Sequence, residues 1–213
     1  MSTPVLFDYF RSSASYRVRI ALNLKRIAYE AASVSLAAGG QFDPAYRARN
    51  PQGFVPMLEM DGHRLTQSLA IIDYLDAVQP EPRLVPADPG DAAYVRGLAL
   101  TVACDIHPLN NLRVLKYLGG ELGQDEAARG DWYRQWVREG FAAMEALAAP
   151  RAGRFLFGDN PSLADVCLVP QMFNARRFET PLDDFPTLVR IDAAATALPA
   201  FAAAHPDVIE KTA

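Results

Sequence analysis

Cysteine is nearly absent from this chain: Cys104 and Cys167 are the only two among 213 residues, and there is no CxxC pair. Two thiols so far apart make neither a disulfide scaffold nor a cysteine-based zinc site, and the three histidines form no cluster at metal-ligand spacing. No cysteine precedes position 104, so thiol chemistry in the N-terminal half would need a thiol brought in from outside. An excess of positive charge is also missing. The formal net charge of −4 leaves no global basic surface for nucleic acid or anionic lipid, and points to a small-molecule partner. No apolar run approaches the roughly 18 residues of a membrane span, and the opening MSTPVLFDYF lacks the charged start and apolar stretch of a secretory signal. The expectation is a cytoplasmic, metal-free protein that binds neither nucleic acid nor membrane. Half of its residues are apolar, enough for a substantial core.

Along the chain, hydrophobic period and turn residues predict strand 4–9, helix 15–26, strand 29–36, a loop or short helix 42–50 and strand 55–60. Asp61-Gly62 then marks a hairpin turn, followed by a return strand at 63–65 and a helix over 67–78. This β-α-β, β-β-α order describes a small mixed sheet covered by helices. Four prolines in residues 80–90 (PEPRLVPADPG) mark a domain boundary. Long helical patterns follow, over roughly 91–118, 125–148, 161–178 and 187–204. The expected organisation is an α/β domain over 1–81, a linker over 82–90 and an all-α domain over 91–213. Ser162-Leu163-Ala164-Asp165 has capping-box spacing, with Asp165 a shorter stand-in for glutamate, and Pro108 and Pro170 predict kinks. Cys104, Cys167, Trp132 and Trp136 are expected in the core.

Between the first strand and the first helix, RSSASYRVR (Arg11 to Arg19) packs three serines and three arginines into nine positions, a composition suited to a small anion. Ser12 and Ser13 can cap the helix, or a serine there can donate to an anion such as a thiolate beside the positive end of the helix. Lowering a thiol pKa by about two units from 8.5 requires roughly 2.7 kcal/mol. The helix dipole offers about 0.3–1 kcal/mol and a hydrogen bond to a charged acceptor about 1.5–3, so the two together suffice. In Asn50-Pro51-Gln52-Gly53-Phe54-Val55-Pro56, a proline at the strand entry is a candidate cis peptide that would turn the Val55 backbone toward an extended peptide ligand, or a trans proline closing a loop. Gln67-Ser68, at the next helix start, suits a carboxylate or a plain cap. His107 and Asn111, one turn apart around Pro108, are binding candidates or structural hydrogen-bonding groups. Arg11 adjoins the serine pair, where a guanidinium suits a small anion. Arg176-Arg177 ends the 161–178 helix, Arg176 being a solvated C-terminal charge, and Arg17 and Arg19 are expected to form structural salt bridges.

Together these sites resemble the thioredoxin-like, glutathione-binding domain of the cytosolic glutathione transferases, and the resemblance continues through the helical region. SSASYRVRIAL is similar to the signature of the zeta class, and CDIHPLNN (104–111) and LADVCLVPQ (163–171) resemble the bacterial maleylacetoacetate isomerases of that class. The resemblance implies glutathione as cofactor, with one serine of the pair holding its thiolate; position points to Ser12, with Ser13 as neighbour. It further implies that Val55, next to a cis Pro56, pairs with the cysteinyl backbone, that Gln67 and Ser68 hold the γ-glutamyl carboxylate, and that Arg177 faces the substrate. Gln52, His107 and Asn111 complete the candidate glutathione-binding set, and Arg11 and Arg177 the substrate-binding set. Many zeta members carry cysteine where this chain has Ala14.

The implied reaction is a cis–trans isomerisation of maleylacetoacetate in tyrosine and phenylalanine catabolism, by thiolate addition, bond rotation and elimination, in a homodimer. The alternatives are a maleylpyruvate isomerase, a general glutathione-conjugating transferase and a non-catalytic glutathione-binding module. A thiol–disulfide oxidoreductase is disfavoured, because the N-terminal half holds no cysteine.

Overall fold

Alternating half-buried Val5 and Phe7 with buried Leu6 and Asp8 defines the first strand, β1 (Val5–Asp8), in the computed structural model, which describes residues 3–211. Helix α1 (Ser13–Leu24) and strand β2 (Glu30–Ser33) follow, then a 3-10 turn (Gly40–Phe42), α2 (Pro44–Arg49), β3 (Met57–Met60), β4 (His63–Thr66) and α3 (Ser68–Val78). The sheet order is β2-β1-β3-β4, with β1 parallel to β2 and antiparallel to β3, and Leu6 opposite both Ala31 and Leu58. The β3–β4 hairpin turns on Asp61 and Gly62, whose φ values of 52° and 79° are the two positive angles that a two-residue type I′ turn demands. The ladder of β3 begins at Met57 and not at Val55 as the sequence pattern predicts, since Pro56 has no N–H to give it. One apolar cluster gathers Val34, Tyr46, Val55 and Met57 with Phe7, Tyr9 and Leu36. Leu6, next to Phe7 and so on the opposite face, is fully buried, as are Val18, Leu22, Leu58, Ile72 and Leu75. Each side chain of this kind contributes about 1.5–3 kcal/mol by its removal from water.

The helical part comprises α4 (Pro89–Leu100), a π-helical segment (Thr101–Ile106), α5 (His107–Asn110), α6 (Leu112–Gly120), α7 (Glu126–Ala148), α8 (Leu163–Arg177) and α9 (Pro186–Thr196). The helical pattern over 91–118, with its expected kink at Pro108, is four pieces. Pro108 carries no N–H for the ladder, the turn before it widens, and Asn111 leaves helical geometry (φ −73°, ψ 161°) to cap α6 through its side-chain oxygen on the Val114 N–H at 3.2 Å. Consequently His107 and Asn111 do not share one continuous helical face. Pro170, by contrast, is accommodated inside an uninterrupted α8. The capping box is present: the Ser162 backbone N–H and hydroxyl both donate to Asp165 at 2.8 Å, and the Leu156 N–H donates to its other oxygen at 2.8 Å. Cys167 is buried, whereas Cys104 is exposed and the two tryptophans are only half-buried, against the core expectation.

Residues expected as a single helix over 187–204 divide at Pro199, which starts the short α10 (Pro199–Ala203); α11 (Pro206–Glu210) follows. The packing also divides the chain differently from the expected bounds. One compact unit ends at Arg83 and takes in the segment from Ala197 onward, and the other is Leu84–Thr196. The C-terminal segment joins the first unit because Asn23 donates to the Ala200 carbonyl at 2.9 Å and Arg19 to that of Ala204 at 3.0 Å. The proline-rich stretch is not a free linker, since Leu84 and Val85 are buried and the Leu84 carbonyl accepts the Leu163 N–H at 2.8 Å. Residues 1–2 and 212–213 of the expected domains lie outside the described residues.

Candidate active site

The loop from β1 into α1 is held by a buried arginine. Arg19, with no exposed surface, gives two hydrogen bonds to Asp8, at 2.7 and 2.8 Å, one to the Phe10 carbonyl at 3.0 Å and one to Ala204. Every nitrogen of this guanidinium is engaged, as burial of a charge requires. Strand, loop, helix and C-terminal segment are thereby fixed to one another directly before Arg11 and Ser12. The structural salt bridge expected of Arg19 is thus observed.

Ser12 is the N-cap of α1. Its hydroxyl oxygen accepts the Ser15 N–H at 3.2 Å, and its own N–H donates to Tyr9 at 2.8 Å. A hydroxyl has one proton to give and two lone pairs to receive, so this cap leaves its proton for an acceptor placed before the helix. The two roles weighed for the serine pair are therefore compatible at Ser12. Ser13 is buried within the first turn.

At the head of α3 the situation differs. Gln67 occupies the N-cap position with φ 66°, a left-handed conformation rare outside glycine, and its side chain makes no capping bond. The N-terminal N–H groups of this 11-residue helix thus remain without a side-chain cap, and with the dipole they favour an anion. The Gln67 amide instead donates to the side-chain oxygen of Gln52 at 2.8 Å. Ser68, buried, accepts from Arg17 of α1 at 3.3 Å. This bond brings the heads of α1 and α3 together, so that Ser12, Gln67 and Ser68 belong to one region of the first unit. Arg17, expected to form a structural salt bridge, is 2% exposed, and one of its bonds goes to the hydroxyl of Ser68, a candidate carboxylate ligand. Ser68 is 51 residues away from Arg17, a relation for which sequence spacing carries no signal.

The loop before β3 is tied down by the buried Asn50, whose amide donates to the Phe54 carbonyl at 2.7 Å, and by Tyr46, whose hydroxyl donates to the same oxygen at 2.5 Å. Gly53 (φ 64°) passes so close to the Gln41 carbonyl that a Cβ there would lie 2.7 Å from its oxygen. The Val55–Pro56 peptide is cis, the alternative under which the Val55 backbone serves a ligand; Glu81–Pro82 is a second cis bond that the sequence pattern did not mark.

Arg11, half-exposed, stacks over the Phe10 ring at 4.9 Å and pairs with Glu210 at 3.3 Å. The remaining candidates belong to the second unit. Asn111 spends its side-chain oxygen on the α6 cap, and His107 opens α5. Arg177, at the end of α8, donates to the side-chain oxygen of Asn174 at 3.2 Å and lines a cavity of about 480 Å³ with Arg129, Arg134 and Phe178. Its neighbour Arg176 is an ion-pair partner of the buried Asp192 at 2.7 Å, and not merely a solvated charge. Next to Arg177 lies Tyr133. Burial pushes its hydroxyl up to about 12, against the opposing influence of Gln171, Arg177 and Asn174. Among the described residues no group of three or more His, Cys, Asp or Glu is arranged to hold a metal ion.

A mixed four-stranded sheet of thioredoxin-like type, an uncapped helix head beside a serine-capped one, and a separate helical unit define the glutathione transferase fold. The chain belongs to the glutathione S-transferase family: residues 6–83 match the model of its N-terminal domain and residues 126–210 that of its C-terminal domain. It is 51% identical to the maleylacetoacetate isomerase of Rhizobium meliloti over 204 residues, covering 95% of this chain and 96% of the relative. A holo structure of maleylpyruvate isomerase, a bacterial zeta-class glutathione S-transferase, superposes with a TM-score of 0.94 at 46% identity, covering 96% of this chain and 97% of that one. The maleylacetoacetate isomerase of Anaeromyxobacter dehalogenans 2CP-1, solved with glutathione bound in its active site, gives a TM-score of 0.88 at 45% identity, covering 97% and 96% of the two chains.

Proposed function

We propose that the protein is a glutathione-dependent cis–trans isomerase that converts maleylacetoacetate to fumarylacetoacetate in the breakdown of tyrosine and phenylalanine, acting in the cytoplasm as a homodimer. The observation that carries this reading is the Ser12 hydroxyl, held as a cap with its proton to give, in an N-terminal unit that has no cysteine of its own. Glutathione supplies the nucleophile. Ser12 donates to its sulfur, which lowers the thiol pKa and keeps the thiolate at the helix head. Gln67, Ser68 and the uncapped end of α3 hold the γ-glutamyl carboxylate, with Gln52 bracing Gln67 and the Val55 backbone pairing with the cysteinyl residue. His107 and Asn111 complete the glutathione-binding set.

In the reaction, the sulfur forms a C–S bond to one carbon of the cis double bond, and the π pair moves into the adjacent carbonyl as an enolate. The former double bond rotates as a single bond. The enolate then re-forms the alkene in the trans arrangement and expels the thiolate, so that neither protons nor electrons are gained or lost. Arg11 and Arg177 are assigned to the carboxylates of the substrate, for which a guanidinium fork is the fitting partner.

A second reading, maleylpyruvate isomerase, is favoured by the close superposition on that enzyme, and the two reactions share every step above. The deciding assay compares maleylacetoacetate and maleylpyruvate side by side, with and without glutathione. Turnover of maleylacetoacetate that depends on glutathione and has the higher kcat/KM is expected. Preference for maleylpyruvate would install the second reading, and turnover without glutathione would overturn both.

A further inference from the structure

Four contacts between residues 11–23, which lead into and form α1, and the C-terminal segment run in strict antiparallel order. Asn23 bonds the Ala200 carbonyl, Arg19 that of Ala204, the Tyr16 ring meets His205 edge-on at 6.0 Å, and Arg11 pairs with Glu210 at 3.3 Å. The first two are hydrogen bonds to backbone, one of them from a guanidinium with no exposed surface, so the course of the segment is set before it reaches its end. That end delivers a carboxylate to the arginine directly preceding Ser12. The pair bears on function because a substrate carboxylate would seek the same guanidinium.

We propose that Glu210 is an affinity-setting residue of the isomerase, a built-in competitor that occupies one edge of Arg11 and yields it to the carboxylate of the substrate. The proposal rests on the assignment of Arg11 to the substrate. Arg11 bonds Glu210 through Nη2, and its guanidinium carbon sits over the Phe10 ring, 4.9 Å from the centroid, so the group is oriented without being enclosed. Both side chains are 51% exposed, and a pair of that exposure exchanges partners readily, being held by a factor of only about 1.5–5 in equilibrium constant. Neutralising Glu210 therefore removes a competitor and a like charge from the path of an anionic substrate, without touching the buried bonds that place Arg11.

The test is a kinetic cycle on the full-length protein with glutathione saturating and maleylacetoacetate varied, comparing the parent with Glu210→Gln, Glu210→Asp, Arg11→Ala and the Arg11→Ala/Glu210→Gln double variant. Glu210→Gln is expected to lower the substrate KM about two- to fivefold while the KM for glutathione stays as it was. Glu210→Asp keeps the parental value. The advantage of Glu210→Gln should shrink as salt screens the pair, and it should vanish in the Arg11→Ala background. An unchanged or raised substrate KM in Glu210→Gln, alongside a raised KM in Arg11→Ala, overturns the role of Glu210 and leaves Arg11 standing. The same decrease with and without Arg11 also overturns it, by showing a diffuse charge effect. No change in Arg11→Ala removes the assignment of Arg11 and the proposal together.

Discussion

Replacing Ser12 separates two roles that one hydroxyl performs. As an acceptor it caps α1 through the Ser15 N–H at 3.2 Å; as a donor it is assigned to the glutathione thiolate. Ser12→Ala removes both. Loss of the cap costs about 1 kcal/mol of stability. Loss of a hydrogen bond to a charged acceptor, about 1.5–3 kcal/mol, corresponds to a rise of roughly 1.1–2.2 units in the pKa of the bound thiol. If the two-unit depression that the helix head and the hydroxyl supply together brings the thiol to about 6.5, roughly three quarters is ionised at pH 7, and after substitution only between about a fifth and a fiftieth remains so. Ser12→Asp distinguishes the roles, since a carboxylate caps a helix well but has no proton to give. The assay is a pH titration of thiolate ultraviolet absorbance in the glutathione complex, paired with chemical denaturation of the free protein. Ser12→Ala should fail on both counts and Ser12→Asp on the titration alone. A parental titration curve in either variant would refute the assignment of the thiolate to Ser12.

The buried pair of Arg19 with Asp8 should behave as a structural keystone: Arg19→Met leaves a buried carboxylate without its cation and is expected to cost about 3–5 kcal/mol in urea denaturation, whereas a loss under about 1 kcal/mol would mean that the pair is no more than a surface bridge. Tyr133 predicts an alkaline weakness. Its hydroxyl is pushed up to about 12 by burial, so above pH 10 the unfolded chain releases a proton that the folded chain keeps; stability present below pH 10 is then lost as pH rises toward 12, by about 2.7 kcal/mol in total. Tyr133→Phe lacks that contribution, and stability curves of the two proteins that stay parallel from pH 9 to 12 would contradict it.

What could be read from the sequence was local in origin. The Asp61-Gly62 hairpin follows from two adjacent residues that tolerate positive φ, and the start of α8 from a serine and an aspartate three apart. The serine pair at the head of α1 was legible for the same reason: capping is decided within one turn. The breaks in the second unit were half legible, Pro108 announcing a disturbance but not the cap that Asn111 would form beyond it. Buried arginines were the least legible. Arg17 and Arg19 stand two positions apart in an ordinary-looking run, yet one reaches 51 residues forward to Ser68 and the other 11 back to Asp8 and 185 forward to Ala204. Cys104 misled in the opposite direction, its apolar character promising burial that the helix does not provide.

By itself the sequence settled those features in which neighbouring residues satisfy each other: strand alternation, turns, helix starts, and the absence of an internal thiol where one would be needed. Tertiary structure alone decided which charges are buried and with whom, that the last residues pack along the first helix instead of completing the helical unit, and that a carboxylate 199 positions away faces Arg11. The physical reason is that a buried charge must find its partner wherever the fold places one, and chain distance carries no record of that choice.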